Sequence, residues 1–151
     1  MPVKSFRGPA NPLGESTITF PPTATKNGRE HTIPLGKMAR QILQPPCKSE
    51  ECYFPALGRT TSFNGHSLCM RRFAKTCEAK DWTLHDLRRT FATGLASLGV
   101  QIPVIEKLLN HVSGSFGGIV SVYQRYDYMP EMREAIETWE VHVLRLASLE
   151  D

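Results

Sequence analysis

Between Thr83 and His111 the chain spells out a helix start, a stop, a second start and a second stop, and this punctuation constrains the fold more than any other feature. Thr83 followed three residues later by Asp86 is an N-cap with an acidic partner in the first turn, so a helix is predicted from about Leu84 to Leu98. Gly99 supplies the left-handed residue that closes it. Pro103 suits the first turn of the next helix, which carries Val104, Ile105, Leu108 and Leu109 and stops around Asn110 and His111.

Upstream, the runs Ser16 to Thr25 and Arg29 to Leu35 flank Lys26-Asn27-Gly28, and the Asn-Gly step predicts a hairpin with a type I′ turn. Pro21 and Pro22 make its first strand an edge or bulged one. Met38, Ile42 and Leu43 have helical spacing in a run that Pro45-Pro46 ends. Another helix is expected from about Ser67 to Ala79, with Leu68, Phe73 and Cys77 inward. Val112 to Gly118 reads as a loop, followed by a short helix around Tyr123. After Pro130 an amphipathic helix carries Met132, Ile136, Trp139, Val143 and Leu146 on one side. Residues 1–15, rich in Pro and Gly, read as an extended lead-in, so one domain is expected over residues 16–151. The predicted class is mainly α with a small β-hairpin (α+β).

With 151 residues, 40% of them hydrophobic, the chain can bury a proper core. No apolar run has the length of a membrane span, and MPVKSFRGPANPLG lacks the apolar centre of a signal peptide; a cytoplasmic protein with no membrane partner is expected. The net charge of +3 is too mild to argue for a polyanionic partner by itself. Its distribution says more: Arg71, Arg72, Lys75, Lys80, Arg88 and Arg89 crowd a central stretch, either as a basic patch or as a solvated helix face. Cys47, Cys52, Cys69 and Cys77 lack the tight pairs that close a zinc site, which leaves reduced thiols and no expected metal or cofactor. A Gly-rich phosphate loop, a nucleophile elbow and paired carboxylates on one helix turn are all missing, which sets other enzyme classes aside.

His85 and Arg88 stand three residues apart in the first turn of a capped helix, on one face and near its positive end, an arrangement suited to phosphate. His111 follows the next helix, where an imidazole can donate to an anion, and Tyr123 lies beyond a loop. Taken singly, each has an ordinary alternative: His85 as a polar cap residue, His111 as a helix-terminal charge, Tyr123 as a core aromatic.

Taken in order, HDLRRTFATGLASLGV, IEKLLNH and VYQRYDY resemble the signature block of the tyrosine recombinases of the phage-integrase type. TATKNGREHTIPL resembles the hairpin that precedes it and FPALG the family's middle loop, so the resemblance spans roughly residues 16 to 140. It implies site-specific recombination of double-stranded DNA without metal or ATP, by strand cleavage and rejoining through a 3′-phosphotyrosyl link. Tyr123 would be the nucleophile, Arg88 the clamp on the non-bridging oxygens, His85 and His111 further donors, and Lys26 the acid that protonates the leaving 5′-hydroxyl. Tyr126 and Tyr128 are rivals; YQR matches the family context of Tyr123. The gap of 123 − 111 = 12 residues is longer than the commonest family pattern, and Gly117-Gly118 can absorb it. Self-association on DNA is also implied, with the Trp139 and Leu146 face as the docking candidate or else an ordinary packing face.

The family pattern includes a second arginine in a G-x-R-x-x-E helix upstream of the hairpin, and a core-binding domain before it; neither is found in these residues. Arg7 sits too close to the hairpin to stand in. The expectation is an incomplete catalytic domain whose cleavage is weak or absent in this chain alone, with an apolar face left uncovered. A non-catalytic helix-turn-helix DNA-binding module is the alternative, since TFATGLASLGVQIPVIEKLL reads as helix, Gly turn, helix.

Overall fold

The computed structural model describes residues 17–43, 56, 63, 65–79, 81–111 and 126–148. Among these residues the chain is mainly helical with one two-stranded antiparallel hairpin: β1 (Thr17–Phe20), β2 (His31–Pro34), α1 (Lys37–Ile42), α2 (His66–Thr76), α3 (Leu84–Ser97), α4 (Ile102–Leu108) and α5 (Met129–Ala147). Its core is built by α3, α4 and α5.

The start of α3 is held by Asp86, whose carboxylate accepts from the Thr83 hydroxyl at 2.7 Å and from the Thr83 N–H at 3.0 Å. It ends at Gly99, with φ +84°, where the N–H of Val100 returns to the Leu95 carbonyl (3.0 Å) and that of Gly99 to Ala96 (3.1 Å). This pair of bonds satisfies carbonyls that a helix end would leave bare. The end of α4 repeats the motif with asparagine in the glycine's place. Asn110 has φ +52°, the His111 N–H reaches the Glu106 carbonyl (2.9 Å), and the Asn110 N–H reaches Lys107 (3.1 Å). Asparagine is among the few L-residues that visit this conformation readily.

Leu95, Val104, Ile105, Leu108, Leu109, Met132 and Ala135 are buried together, with Phe91, Ile136 and Trp139 packed against them. At about 1.5–3 kcal/mol for each large aliphatic side chain removed from water, this cluster is the main source of stability. Close approach of α3 to α5 depends on Gly94, because a Cβ there would lie 2.3 Å from Trp139 Cζ3. Trp139 also meets Phe91 edge to face, at 5.3 Å between centroids.

The hairpin differs from the sequence expectation. Its ladder pairs Thr17 with Pro34 through Phe20 with His31, and residues 21–30 form a long connection rather than a two-residue turn. Pro21 and Pro22 have no N–H to give the ladder, and a 3-10 turn at Pro22–Ala24 replaces the end of the expected strand. Gly28 alone in the connection has positive φ, whereas a type I′ turn needs two such residues in succession. The tip is closed by the Thr25 hydroxyl on the Arg29 carbonyl (2.6 Å) and by the Arg29 N–H on Asn27 Oδ1 (3.1 Å).

Gly36 offers α1 no capping side chain, and Glu140 of α5 supplies one. Its two carboxylate oxygens accept from the Lys37 and Met38 N–H groups, each at 2.9 Å. The face of α2 expected to turn inward does not: Leu68 and Phe73 are exposed, since α3, α4 and α5 fill the core without them, and Ile42 of α1 is also exposed, at 72%. Phe73 instead meets Trp82 edge to face at 5.8 Å. Along α5, Met132 is buried while Leu146 lies open, because the helix runs on past the end of the bundle core. No described helix is long and apolar enough to cross a membrane. The loop expected at 112–118, the short helix expected around Tyr123, and Cys47 and Cys52 all lie outside the described residues.

Candidate functional site

The last turn of α4 ends in backbone carbonyls that its own helix cannot use, and side chains from two other elements converge on them. Arg88, half-buried in the first turns of α3, donates from one terminal nitrogen to the Leu109 carbonyl. His31 of β2 lies with Nε2 at 3.4 Å from the Leu108 carbonyl. Both are drawn to the negative end of a helix. A guanidinium has five N–H donors in a rigid fork, so spending one on a carbonyl fixes the plane and leaves others for a second acceptor.

Arg89, next in sequence, is engaged differently. It stands 3.4 Å from Asp86 on the solvent side, and the Thr83 hydrogen bonds hold the Asp86 carboxyl below the usual carboxylate range. Arg88 is thereby the arginine of the pair that faces the end of α4. His85, one turn earlier on α3, is exposed.

The hairpin tip reaches the same place. Asn27 Nδ2 donates to Asn110 Oδ1 at 2.8 Å, joining positions 83 residues apart in the chain. Lys26 precedes Asn27 and is exposed. His111 follows Asn110, and its ring Nδ1 stands 3.6 Å from Glu106 Oε1. Four of the five residues singled out from the sequence, Lys26, His85, Arg88 and His111, therefore belong to segments that meet at the end of α4.

Tyr123 lies outside the described residues, as do Arg7 and Lys80. Tyr126 is exposed, and its hydroxyl donates to Glu131 at 3.0 Å; that bond pushes its pKa above the usual tyrosine value. Tyr128 is half-buried at the left-handed residue that opens α5, with its ring against that of Tyr126 at 4.9 Å.

His31 and Asn27 are the residues that sequence reasoning missed. His31 stands in a strand of only four residues, where alternation gives little sign of what a side chain meets. Burial holds the His31 ring below the usual histidine value against the raising effect of the Leu108 carbonyl, with Lys107 and Arg88 adding like charge. The sequence signal for Asn27 was the asparagine at the α4 stop, a residue with an amide to spare once its backbone has turned left-handed. Basic residues Arg71, Arg72 and Lys75 are exposed along α2.

A family model described as the phage integrase family matches residues 13–128. No curated protein and no solved structure matches the chain.

Proposed function

The chain belongs to the phage integrase family, whose work is site-specific recombination of DNA, and from that premise we propose that it cleaves and rejoins double-stranded DNA through Tyr123. On this reading the Tyr123 oxygen attacks the scissile phosphorus, the bond from phosphorus to the 5′-oxygen breaks, and a 3′-phosphotyrosyl link conserves the energy of the phosphodiester. Arg88 holds the non-bridging oxygens as charge builds on them. His85 and His111 donate further hydrogen bonds or assist proton transfer, and Lys26 gives its proton to the departing 5′-oxygen. Attack by another 5′-hydroxyl reverses the step on a new strand.

The observation that carries this reading is the meeting of three segments at the end of α4, with a fixed Arg88 fork, the Lys26 hairpin tip and His111 around one terminus. The state of Tyr126 favours Tyr123 as nucleophile. A phenol that already donates to a carboxylate, and whose anion would face that charge, is poorly placed to attack a phosphate. We read residues 16–151 as an incomplete catalytic domain and residues 1–15 as its lead-in. Self-association on DNA would use the exposed Val141, Leu144 and Leu146 at the far end of α5, whereas Trp139 is occupied within the chain.

The test uses nicked suicide duplexes of randomised sequence, with covalent protein–DNA adducts read on a denaturing gel for the wild type and Tyr123→Phe. Adduct lost in the variant, with DNA binding retained, is the expected result. Binding without adduct in the wild type would replace this reading with a DNA-binding module built on the α3–Gly99–α4 pair.

A further inference from the structure

His31 ties β2 of the hairpin to the Leu108 carbonyl, and the tip that carries Lys26 meets the end of α4 through a side-chain contact between the residues next to two proposed reactive groups. Asn27 uses both ends of its amide: Oδ1 accepts the Arg29 N–H within the tip, and Nδ2 donates to Asn110 across the site. Asn110 is itself held in the left-handed conformation by the two backbone bonds that end α4. The bond therefore runs from a rigid helix end to a long connection whose ladder stops at Phe20 and His31. We propose that the Asn27–Asn110 amide pair is a latch that positions Lys26 against the leaving group, and that Asn27 and Asn110 are positioning residues for strand cleavage. The proposal rests on the reading of Lys26 as the acid.

A hydrogen bond of this kind biases its two states by about fivefold to tenfold, which sets the size of effect. It acts only on the position of the acid, so it should act only on a leaving group that needs a proton. A 5′-bridging sulfur leaves as a thiolate without one, and this chemistry separates the latch from a general loss of fold.

The experiment measures single-turnover cleavage of a nicked suicide duplex, selected from the randomised pool, with either oxygen or sulfur at the 5′-bridging position. Asn27→Ala and Asn110→Gly are expected to slow the oxygen substrate by about fivefold to tenfold and leave the sulfur substrate at the wild-type rate. Glycine is chosen at 110 because it keeps the left-handed backbone and removes only the amide. Lys26→Ala should show the same selectivity between substrates with a larger loss. Equal slowing of both substrates by Asn27→Ala, or no slowing of either, would overturn the latch while leaving the strand-transfer reading intact. A wild type that cleaves neither substrate would overturn that reading and the latch with it.

Discussion

Replacing Gly94 by alanine sets two known effects against each other inside one helix contact. In a helix interior alanine is favoured over glycine by about 1 kcal/mol, so propensity alone predicts a more stable protein. The structure predicts the reverse. The new Cβ would stand 2.3 Å from Cζ3 and 2.9 Å from Cη2 of Trp139, and carbon atoms in contact prefer about 3.5–4.0 Å. The ring would have to retreat by more than ~1 Å, yet Phe91 meets it edge to face and His142 lies 5.6 Å away along its own helix. Overpacking of this sort costs about 1–3 kcal/mol. The short contact places Gly94→Ala toward the upper end, so the net loss is about 1–2 kcal/mol after the helix gain is subtracted. For a chain of this size that is a fall in Tm of roughly 3–6 °C. Thermal and urea unfolding followed by circular dichroism would measure it. In a Trp139→Leu background the clash is gone, and the same substitution should become neutral or stabilising. Gly94→Ala melting at or above the wild type in the native background would refute the reasoning.

Glu140→Ala removes the carboxylate that caps α1 and should cost about 1–2 kcal/mol, with hydrogen exchange of the Lys37 and Met38 amides rising more than that of α3. Arg88→Lys keeps the charge but loses the planar fork, so covalent adduct formation should fall by about 10²-fold or more while DNA affinity in a gel-shift assay changes little. The depressed pKa of His31 gives a pH signature. Below the ordinary histidine value of 6.5 the unfolded chain takes up a proton that the folded chain refuses, so stability falls with pH from about 6.5 toward the lower folded value and then levels off. His31→Gln should flatten that part of a Tm-against-pH curve; an unchanged curve would count against the assignment.

The stretch from Thr83 to His111 was legible residue by residue because its signals are local. A threonine cap with its aspartate, a glycine at the left-handed position and a proline in the first turn each act within a few residues, and each stands where the sequence places it. The hairpin was legible as an element but not as a turn, since Asn27-Gly28 competes with Pro21-Pro22 and the prolines stop the ladder early. The inward face assigned to Leu68 and Phe73 failed for another reason: periodicity identifies an apolar stripe but not whether any element covers it. Lys26, His85, Arg88 and His111 were singled out by type and order. What ties them together, His31 on Leu108 and Asn27 on Asn110, spans the chain and leaves no local trace.

Leu108 and Leu109 each serve two purposes. Their side chains are 7% and 8% exposed in the bundle core, while their carbonyls hold His31 and Arg88. Because a carbonyl belongs to the main chain, no change of side chain at either position can delete the anchor. The anchor can still be displaced: a cavity opened beneath Leu108 lets the end of α4 settle, and the arginine and the histidine move with it. The precision of the proposed reactive groups would thus be inherited from the filling of the hydrophobic interior, and on the proposed reading substitutions with no access to DNA would detune the site as surely as those that touch it.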